Sequence, residues 1–326
     1  MKLIACTGDS HTWGQGGAGV RDAFDKWTSP VIAGEHRMLP FATGAYVNLL
    51  REYVNAYTGS SASDYEAPVL CRAFGLEADG NCAQADGLRF PFDGALLRLQ
   101  FRYTPAHVRA AVRVDGETLW EDDLFREERS NPYNLVTLML PDGRHCAEIT
   151  GPGAPLYRLE VYRGPWAVVN CGVGSCPVGK FLAEYYDKLV APLRPVAVLA
   201  EGHTINDWIV DRDADEQEEN MTAFFRRIRA DGADPWLLTV EPILGSLASP
   251  LSGHPFGDFD EACRRAARAE NVPLIDAYAA LAEKLDAFPD EQARFDAWYE
   301  DNWHPNAAGH ALYASLSFDA LRHILA

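Results

Sequence analysis

Residues 2–10 of the chain read Lys2-Leu3-Ile4-Ala5-Cys6-Thr7-Gly8-Asp9-Ser10. Residues 2–6 form a short apolar run that ends at a glycine turn, which is typical of a buried parallel strand. The pattern therefore predicts a strand over residues 2–6 and, directly after it, a turn that carries Ser10. A serine hydroxyl is a weak nucleophile until a positioned base removes its proton. Ser10 therefore needs partners from elsewhere in the chain.

A base and an acid that could serve Ser10 lie near the other end of the sequence. The segment reads Asp301-Asn302-Trp303-His304-Pro305-Asn306. An acid three residues before a histidine can hold and orient the imidazole on one tight turn. We therefore predict a serine hydrolase in which Ser10 is the nucleophile, His304 the base and Asp301 the orienting acid. Taken alone, each segment has a plainer interpretation, with Ser10 or Asp301 capping a helix and His304 at the surface.

The segments that flank the middle of the chain show a β/α rhythm. Strands are predicted over 2–6, 166–170, 196–200, 236–240 and 272–275. Helices are predicted over 43–58, 178–193, 215–230, 259–270 and 306–325. Strands that alternate with helices form a parallel sheet covered on both faces, so these segments predict a three-layer α/β core. In such sheets a ligand binds beyond the carboxyl ends of the strands, and Ser10 follows one of those ends.

The middle of the chain, residues 66–164, has a different sequence pattern, with runs in which apolar and polar residues alternate. Two pairs of such runs flank Asp115-Gly116 and Asp142-Gly143. An Asp-Gly pair between alternating runs is a strong hairpin signal, because the turn needs residues that tolerate positive φ. We therefore predict a core formed by residues 1–65 and 165–326, with an all-β, sandwich-like domain inserted at 66–164.

Composition restricts the partners and the location. The 326-residue chain has a formal net charge of −18, which repels phosphate backbones, so we expect no nucleic-acid partner. No stretch approaches the ~20 apolar residues of a membrane span, and residues 2–6 are too short for a signal-peptide core. We therefore expect no membrane partner and, if Met1 is the native start, a cytoplasmic location. The seven cysteines form no CxxC pair, and no residue cluster has the spacing of a metal site, so we expect no metal and no cofactor.

Four segments together resemble the SGNH (GDSL) hydrolase superfamily. Gly8-Asp9-Ser10 matches its first block and Asp301 to Asn306 its last block. Asn170-Cys171-Gly172-Val173-Gly174-Ser175 is similar to the second block, and Thr204-Ile205-Asn206-Asp207 to the third. The resemblance covers the flanking segments, about two thirds of the chain, and leaves residues 66–164 outside.

The resemblance implies a flavodoxin-like core and a particular oxyanion hole. Its donors would be the backbone N–H of Ser10, the side chain of Asn206 and a backbone N–H of the second block. The family usually has a glycine where this chain has Ser175, and the glycine falls one residue earlier, at Gly174. Both residues therefore stay open as the third donor. A further departure is Thr204, which stands where the family usually has glycine.

Six further residues lie beside these blocks and could contact substrate. For His11 we expect a solvent-facing loop position instead, and the aromatic residues have packing as their alternative. The six residues are Asp9, His11, Trp13, His203, Trp208 and Trp303.

The substrate follows only from the resemblance. Inserted β modules in this superfamily often accompany carbohydrate esterases, which favours small acyl esters, above all O-acetyl, on a sugar or glycoconjugate. The alternatives are a lipase or thioesterase, an acyltransferase, and an inactive protein that binds a glycan. The insertion could also serve only to cover a sheet edge or to form a dimer, so the oligomeric state stays open.

Overall fold

Strand β1 (Lys2–Thr7) lies where the opening apolar run predicts it in the computed structural model of the protein. The structure describes residues 1–17, 45–79, 82–125, 133–210, 212–244 and 253–326. Contacts divide the chain into two compact units, one over Asn55–Ala167 and one built mainly from residues 2–17, 45–54 and 168–326. Apart from Lys2, the residues of β1 are buried, as expected for a strand inside a parallel sheet.

The sheet that contains β1 is parallel. Its other strands are β10 (Trp166–Asn170), β11 (Ala197–Glu201), β12 (Asp234–Leu238) and β13 (Leu274–Ile275). They lie in the order β10-β1-β11-β12-β13. Parallel register places Ile4 opposite Ala197, and β12 continues the sheet in the same direction. The predicted α/β fold with a parallel sheet is confirmed.

Helices occupy the connections, as crossovers between parallel strands require. The predicted helix over 178–193 is divided by a π-helical turn at Phe181–Tyr185. The predicted start of the helix over 43–58 lies outside the described residues. The helices are α1 (Ser10–Trp13), α2 (Tyr46–Thr58), α3 (Ala67–Phe74), α4 (Val178–Lys180), α5 (Tyr186–Leu189), α6 (Thr204–Ile209), α7 (Ala214–Ala230), α8 (Phe256–Ala269), α9 (Ala277–Leu285), α10 (Glu291–Trp298) and α11 (Ala307–Leu321). Within the described ranges, none of these helices combines the length and the apolar character needed to cross a bilayer.

Among its described residues, the unit over Asn55–Ala167 is built on one continuous eight-stranded antiparallel sheet, which fits the predicted inserted β domain. The prediction of an all-β sandwich is wrong in two details, because helix α3 lies within residues 66–164 and the strands are hydrogen-bonded into one sheet instead of two. Its strands are β2 (Ser61–Glu66), β3 (Ala78–Asp79), β4 (Cys82–Gln84), β5 (Arg89–Arg102), β6 (Arg109–Val114), β7 (Glu117–Asp123), β8 (Tyr133–Thr150) and β9 (Pro155–Arg163). Alternate residues of the long strands, such as Leu97, Leu99 and Phe101, pack into one apolar cluster. Strand β2 pairs with β9 along its whole length, so the sheet begins before residue 66.

The two Asp-Gly pairs have different structures. Asp115 and Gly116 have φ values of 54° and 90° and connect β6 to β7, so the predicted hairpin is confirmed there. The hairpin predicted at Asp142-Gly143 is wrong, because β8 runs through both residues without turning. Gly143 instead lies opposite Gly94 of β5, next to an irregularity in the register. Facing glycines allow two long strands to bend together, and a bend has a sequence signature similar to that of a turn.

Candidate active site

Three segments predicted to carry site residues lie at neighbouring strand ends. Asp9 and Ser10 follow β1, the loop from Cys171 follows β10, and Asn206 follows β11. These strands are adjacent in the sheet. Since the carboxyl ends of parallel strands share one edge, the fold brings the three segments together at that edge.

The turn after β1 is shaped by close contact with β11. A Cβ atom at Gly8 would lie 2.2 Å from the carboxyl Oε2 of Glu201, so no larger residue fits. Asp9 then caps the short helix α1, because its Oδ1 accepts from His11 N at 3.0 Å. Ser10 is therefore the first residue of the helix and not its cap, and the residue as a whole is 6% exposed.

Ser10, His304 and Asp301 form a continuous series of contacts. The Oγ of Ser10 lies 2.8 Å from Nε2 of His304. The other ring nitrogen, Nδ1, lies 2.8 Å from both carboxyl oxygens of Asp301. Asp301 Oδ1 also accepts from the backbone N–H groups of Trp303 and His304, each at 2.9 Å. The alternative with His304 at the surface is wrong, since this residue is 6% exposed.

The carboxyl of Asp301 is held in its ionised form. Burial alone would raise its pKa, but the hydrogen bond from His304 and the electrostatic attraction between the two side chains outweigh burial and lower the pKa below its ordinary value. An ionised carboxylate beside Nδ1 fixes the proton on that nitrogen and leaves Nε2 free to accept one from Ser10.

Asn206 and the loop after β10 lie beside the nucleophile turn. The Nδ2 of Asn206 donates to Asp9 Oδ2 at 2.6 Å, and Val173 N donates to Gly8 O at 2.9 Å. Gly174 is buried, while Ser175 is exposed and has φ 57°, the left-handed conformation that favours glycine. The backbone therefore keeps the shape typical of glycine where the sequence has serine. Which of the two N–H groups faces an oxyanion stays a prediction.

His11 differs from its prediction, because it is fully buried and does not face solvent. Its Nδ1 lies 2.7 Å from Asp9 Oδ1. Its Nε2 lies 2.8 Å from the backbone O of Trp303 and 3.0 Å from Glu241 Oε1. The ring centroid of His11 is 5.2 Å from that of His304. Burial alone would lower the pKa of His11, but the carboxylates of Glu241 and Asp9 outweigh it and raise the pKa well above its ordinary value.

Two buried glutamates complete the site and were missed from the sequence. Glu201 Oε2 accepts from Asp9 N and its Oε1 from His203 N, both at 2.7 Å, so it joins the turns after β1 and β11. Burial, followed by the charge of Asp9, raises the pKa of Glu201 well above its ordinary value. Glu241 accepts from Tyr313 Oη in addition to its contact with His11. Both glutamates directly follow apolar strand runs, which is the signal that could have identified them.

The remaining candidates for substrate contact are mostly inaccessible. Asp9, Trp13 and His203 are fully buried, so with His11 they have no surface for substrate and act only through other residues. His203 donates from Nδ1 to Cys176 O at 2.7 Å, and burial lowers its pKa. Trp208 is 4% exposed and donates to His254 O at 2.8 Å. Trp303 is partly exposed.

Asp9, His11 and Glu201 are also close enough to ligate a metal ion, with one potential ligand atom of each within 4.8 Å of the others. Their contacts do not fit that use. The Nε2 of His11 carries a proton, because it faces a carbonyl oxygen at 2.8 Å and carbonyl oxygens only accept. Its Nδ1 faces Asp9, whose pKa lies well below its ordinary value, because the attraction of His11 outweighs the effect of burial. Both ring nitrogens are therefore protonated, and neither offers a lone pair to an ion.

The chain belongs to the GDSL-like lipase/acylhydrolase family, whose model matches residues 150–312, half of the sequence, and it is a carboxylic ester hydrolase. The matched residues include Asn206, Asp301 and His304, and they begin after the turn that carries Ser10. No curated protein matches the chain.

Comparison with solved structures finds similar chains at low sequence identity. A peptidoglycan O-acetylesterase aligns over 100% of this chain and 91% of its own, with 14% identity and a TM-score of 0.56. The protein YxiM of Bacillus subtilis aligns over 81% of this chain and 88% of its own, with 15% identity and a TM-score of 0.45. An acetylxylan esterase from Geobacillus stearothermophilus aligns over 47% of this chain and 71% of its own, with 19% identity and a TM-score of 0.39.

Proposed function

We propose that this hydrolase removes small acyl groups, above all acetyl, from a sugar or glycoconjugate, with Ser10 as its nucleophile. The observation that carries the proposal is the series of contacts from Ser10 Oγ through His304 to Asp301, in which both steps measure 2.8 Å. A hydroxyl, a base and an orienting acid in hydrogen-bond contact are what acyl transfer to serine requires.

The reaction then has two halves. Ser10 Oγ attacks the acyl carbonyl while its proton passes to Nε2 of His304, and Asp301 stabilises the imidazolium. The carbon–oxygen bond to the leaving alcohol breaks as Nε2 returns the proton to that oxygen, which leaves an acyl-serine. Water loses a proton to the same nitrogen and attacks the acyl-serine. The carbon–oxygen bond to Ser10 then breaks as Nε2 returns the proton to Oγ, which releases the acid and the free serine hydroxyl.

The oxyanion of each tetrahedral intermediate needs preorganised donors. We assign this role to the backbone N–H of Ser10, the amide of Asn206, and the N–H of Gly174 or Ser175. The Nδ2 group of Asn206 has two hydrogens, and its contact with Asp9 at 2.6 Å uses one of them. The second hydrogen is available to the oxyanion, and Asp9 fixes the plane of the amide.

A small acyl group suits the site for two reasons. Ser10 is only 6% exposed, which favours an acyl portion of few atoms. The whole chain also shares its fold with a peptidoglycan O-acetylesterase at a TM-score of 0.56, and an acetylated sugar is compatible with that likeness.

The test compares the turnover of p-nitrophenyl acetate with that of esters that have longer acyl chains. It also measures the release of acetate from a panel of acetylated sugars. We expect turnover to fall with acyl length and to disappear in Ser10→Ala, whose circular dichroism should match that of the wild type. An organophosphonate should label the wild type and not the variant. A folded wild type that neither turns over nor becomes labelled would contradict the proposal and favour glycan binding. Transfer products formed with added acceptor alcohols would indicate an acyltransferase.

A further inference from the structure

His11 is a buried side chain that has no part in the proposed reaction, although it lies next to the proposed catalytic residues. Each nitrogen of its ring is in contact with a different part of the site. Nδ1 lies 2.7 Å from Asp9 Oδ1, and Nε2 lies 2.8 Å from Trp303 O. The ring is fully buried, so no water competes for either contact.

The acceptors decide the protonation of this ring. Trp303 O can only accept, so Nε2 donates. Asp9 accepts from two other groups, His11 N at 3.0 Å and Asn206 Nδ2 at 2.6 Å, as an ionised carboxylate does. Nδ1 therefore donates as well, and His11 is an imidazolium between the carboxylates of Asp9 and Glu241.

The two contacts of this imidazolium lead to different halves of the machinery. Through Asp9, the Nδ1 contact reaches the amide of Asn206. Through the Trp303 carbonyl, the Nε2 contact reaches the turn that carries His304, whose ring centroid lies 5.2 Å from that of His11. Glu241, which follows β12, anchors the imidazolium from a further part of the sheet at 3.0 Å.

We propose that His11 is a positioning residue, which fixes the oxyanion amide of Asn206 through Asp9 and the catalytic turn of His304 through the carbonyl of Trp303. The inference rests on the proposed function, because it assigns both halves to one reaction. A displacement of about 1 Å in a reacting group can cost about 10² in rate. Since the buried cation of His11 holds both the Asn206 amide and the His304 turn in position, its loss affects kcat more than KM.

Two substitutions separate the two contacts. In His11→Asn the side-chain amide lies near the former Nδ1 and can still donate to Asp9, but nothing donates to Trp303 O. In His11→Gln the longer amide reaches the former Nε2 position, and the donation to Asp9 is lost. Both are combined with Asn206→Ala and assayed on p-nitrophenyl acetate. Ile228→Ala, a fully buried residue of α7, controls for lost stability because it has none of the described contacts with the site.

We expect each single His11 variant to lower kcat by about 10- to 10²-fold at unchanged KM, whereas Ile228→Ala lowers Tm and keeps kcat. His11→Gln should add little to Asn206→Ala, because both disturb the same amide. The fold reduction of kcat by His11→Asn should multiply with that by Asn206→Ala, because His11→Asn acts on the His304 turn. Effects that share one route are less than additive, which is what the double-mutant cycle measures.

Other results overturn the inference. Wild-type kcat in folded His11 variants would remove the positioning role, and a His11→Gln effect that multiplies with Asn206→Ala would remove the route through Asp9. If the His11 variants do not fold, Glu241→Gln keeps an oxygen acceptor but removes the anchoring charge, and unchanged kcat in this variant overturns the inference too. An active wild type separates these outcomes from failure of the proposed function. A wild type as inactive as Ser10→Ala overturns both.

Discussion

Asp207, next to Asn206, has a buried carboxyl that responds to pH. Its side chain is fully buried, and Oδ2 accepts from Val178 N at 2.9 Å. Burial raises the pKa of Asp207 to about 7, although the same hydrogen bond and Arg212, at 3.3 Å, oppose the shift. Asp9 adds to the rise because it is a second negative charge nearby. This carboxyl therefore keeps its proton in the folded protein under mildly acidic conditions.

The raised pKa of Asp207 predicts the sign of a pH effect on stability. An unfolded Asp releases its proton near pH 4, whereas the folded one keeps it until about pH 7. Between these values the unfolded state binds fewer protons, so the free energy of unfolding falls as pH rises. The contribution lost by pH 8 is about 4 kcal/mol, at about 1.4 kcal/mol for each pKa unit. Below pH 4 both states are protonated and the contribution is complete.

Asp207→Asn should remove this part of the pH dependence, because an amide accepts from Val178 and does not ionise. Urea unfolding of wild type and variant between pH 4.5 and 8 measures it, and the variant should gain stability relative to wild type as pH rises. The exposed Asp319 provides the matched control, Asp319→Asn. Wild-type and Asp207→Asn curves that stay parallel over this range would contradict the prediction.

At the residue scale, sequence reasoning predicted which residues lie together better than it predicted their surroundings. Ser10, His304 and Asp301 were selected from local motifs, and the structure places them in contact. The burial of His11 could not be predicted, because its partner Glu241 lies 230 residues away in the chain. Only the fold brings such a partner close, so a loop histidine beside a serine gave no local signal of burial.

Among the elements, the loop after β10 depends on one glycine that packs against α1. A Cβ atom at Gly172 would lie 2.4 Å from Trp13 N and 2.7 Å from the backbone carbon of Thr12. Both are backbone atoms, so neither can rotate away. The loop and the helix must separate to accept any side chain.

Gly172→Ala should therefore lower stability by about 1–3 kcal/mol through overpacking and kcat by about 10² through displacement of the loop that carries the proposed oxyanion donors. Gly257 is the matched control, because a Cβ there meets nothing within 4 Å, and Gly257→Ala should keep wild-type kcat. Thermal unfolding and kcat on p-nitrophenyl acetate measure both effects. A Gly172→Ala variant with wild-type kcat would show that the packing of this loop does not set the donor geometry.

The elements of the parallel sheet were predicted well because each is short, apolar and bounded by a turn. Strand β10 has the predicted bounds, 166–170. Helices α9 and α10 and strand β9 were not predicted as separate elements. Their hydrophobic periodicity is too weak, or too continuous with that of the neighbouring segments, to mark where an element begins and ends. The π-helical turn within the helix predicted at 178–193 has no marker in the sequence, because it is a single turn whose hydrogen bonds span only one residue more than those of an α-helix.

At the scale of the whole molecule, the two ends of residues 61–164, here called the β unit, lie side by side. Ser61 pairs with Arg163, and Trp166 N donates to Ser60 Oγ at 3.0 Å. A Cβ atom at Gly164 would lie 2.8 Å from Ser60 Cα. Residues 61–164 can therefore be removed and Ser60 joined to Pro165 with little change of direction.

If the β unit only selects substrate, this deletion should leave p-nitrophenyl acetate turnover within about threefold of the full chain. It should also reduce release of acetate from polymeric acetylated sugars. Far-UV circular dichroism and thermal unfolding check that the shortened chain folds, and a version with a short Gly-Ser linker controls for strain at the junction. A folded but inactive deletion would place residues of the β unit in the reaction itself.

The central place of β1 affects how the chain is made. Its sheet neighbours are β10 and β11, and Ile4 pairs opposite Ala197. The ribosome therefore synthesises β1 long before β10 or β11. The β unit is synthesised between β1 and these two strands. Domains fold as they emerge from the ribosome, so the antiparallel sheet can form early. Strand β1, which leads to Ser10, has no neighbour to pair with until later. With His304 as the proposed base, we expect newly made chains to gain esterase activity only after residue 304 has left the exit tunnel, however early the serine was translated.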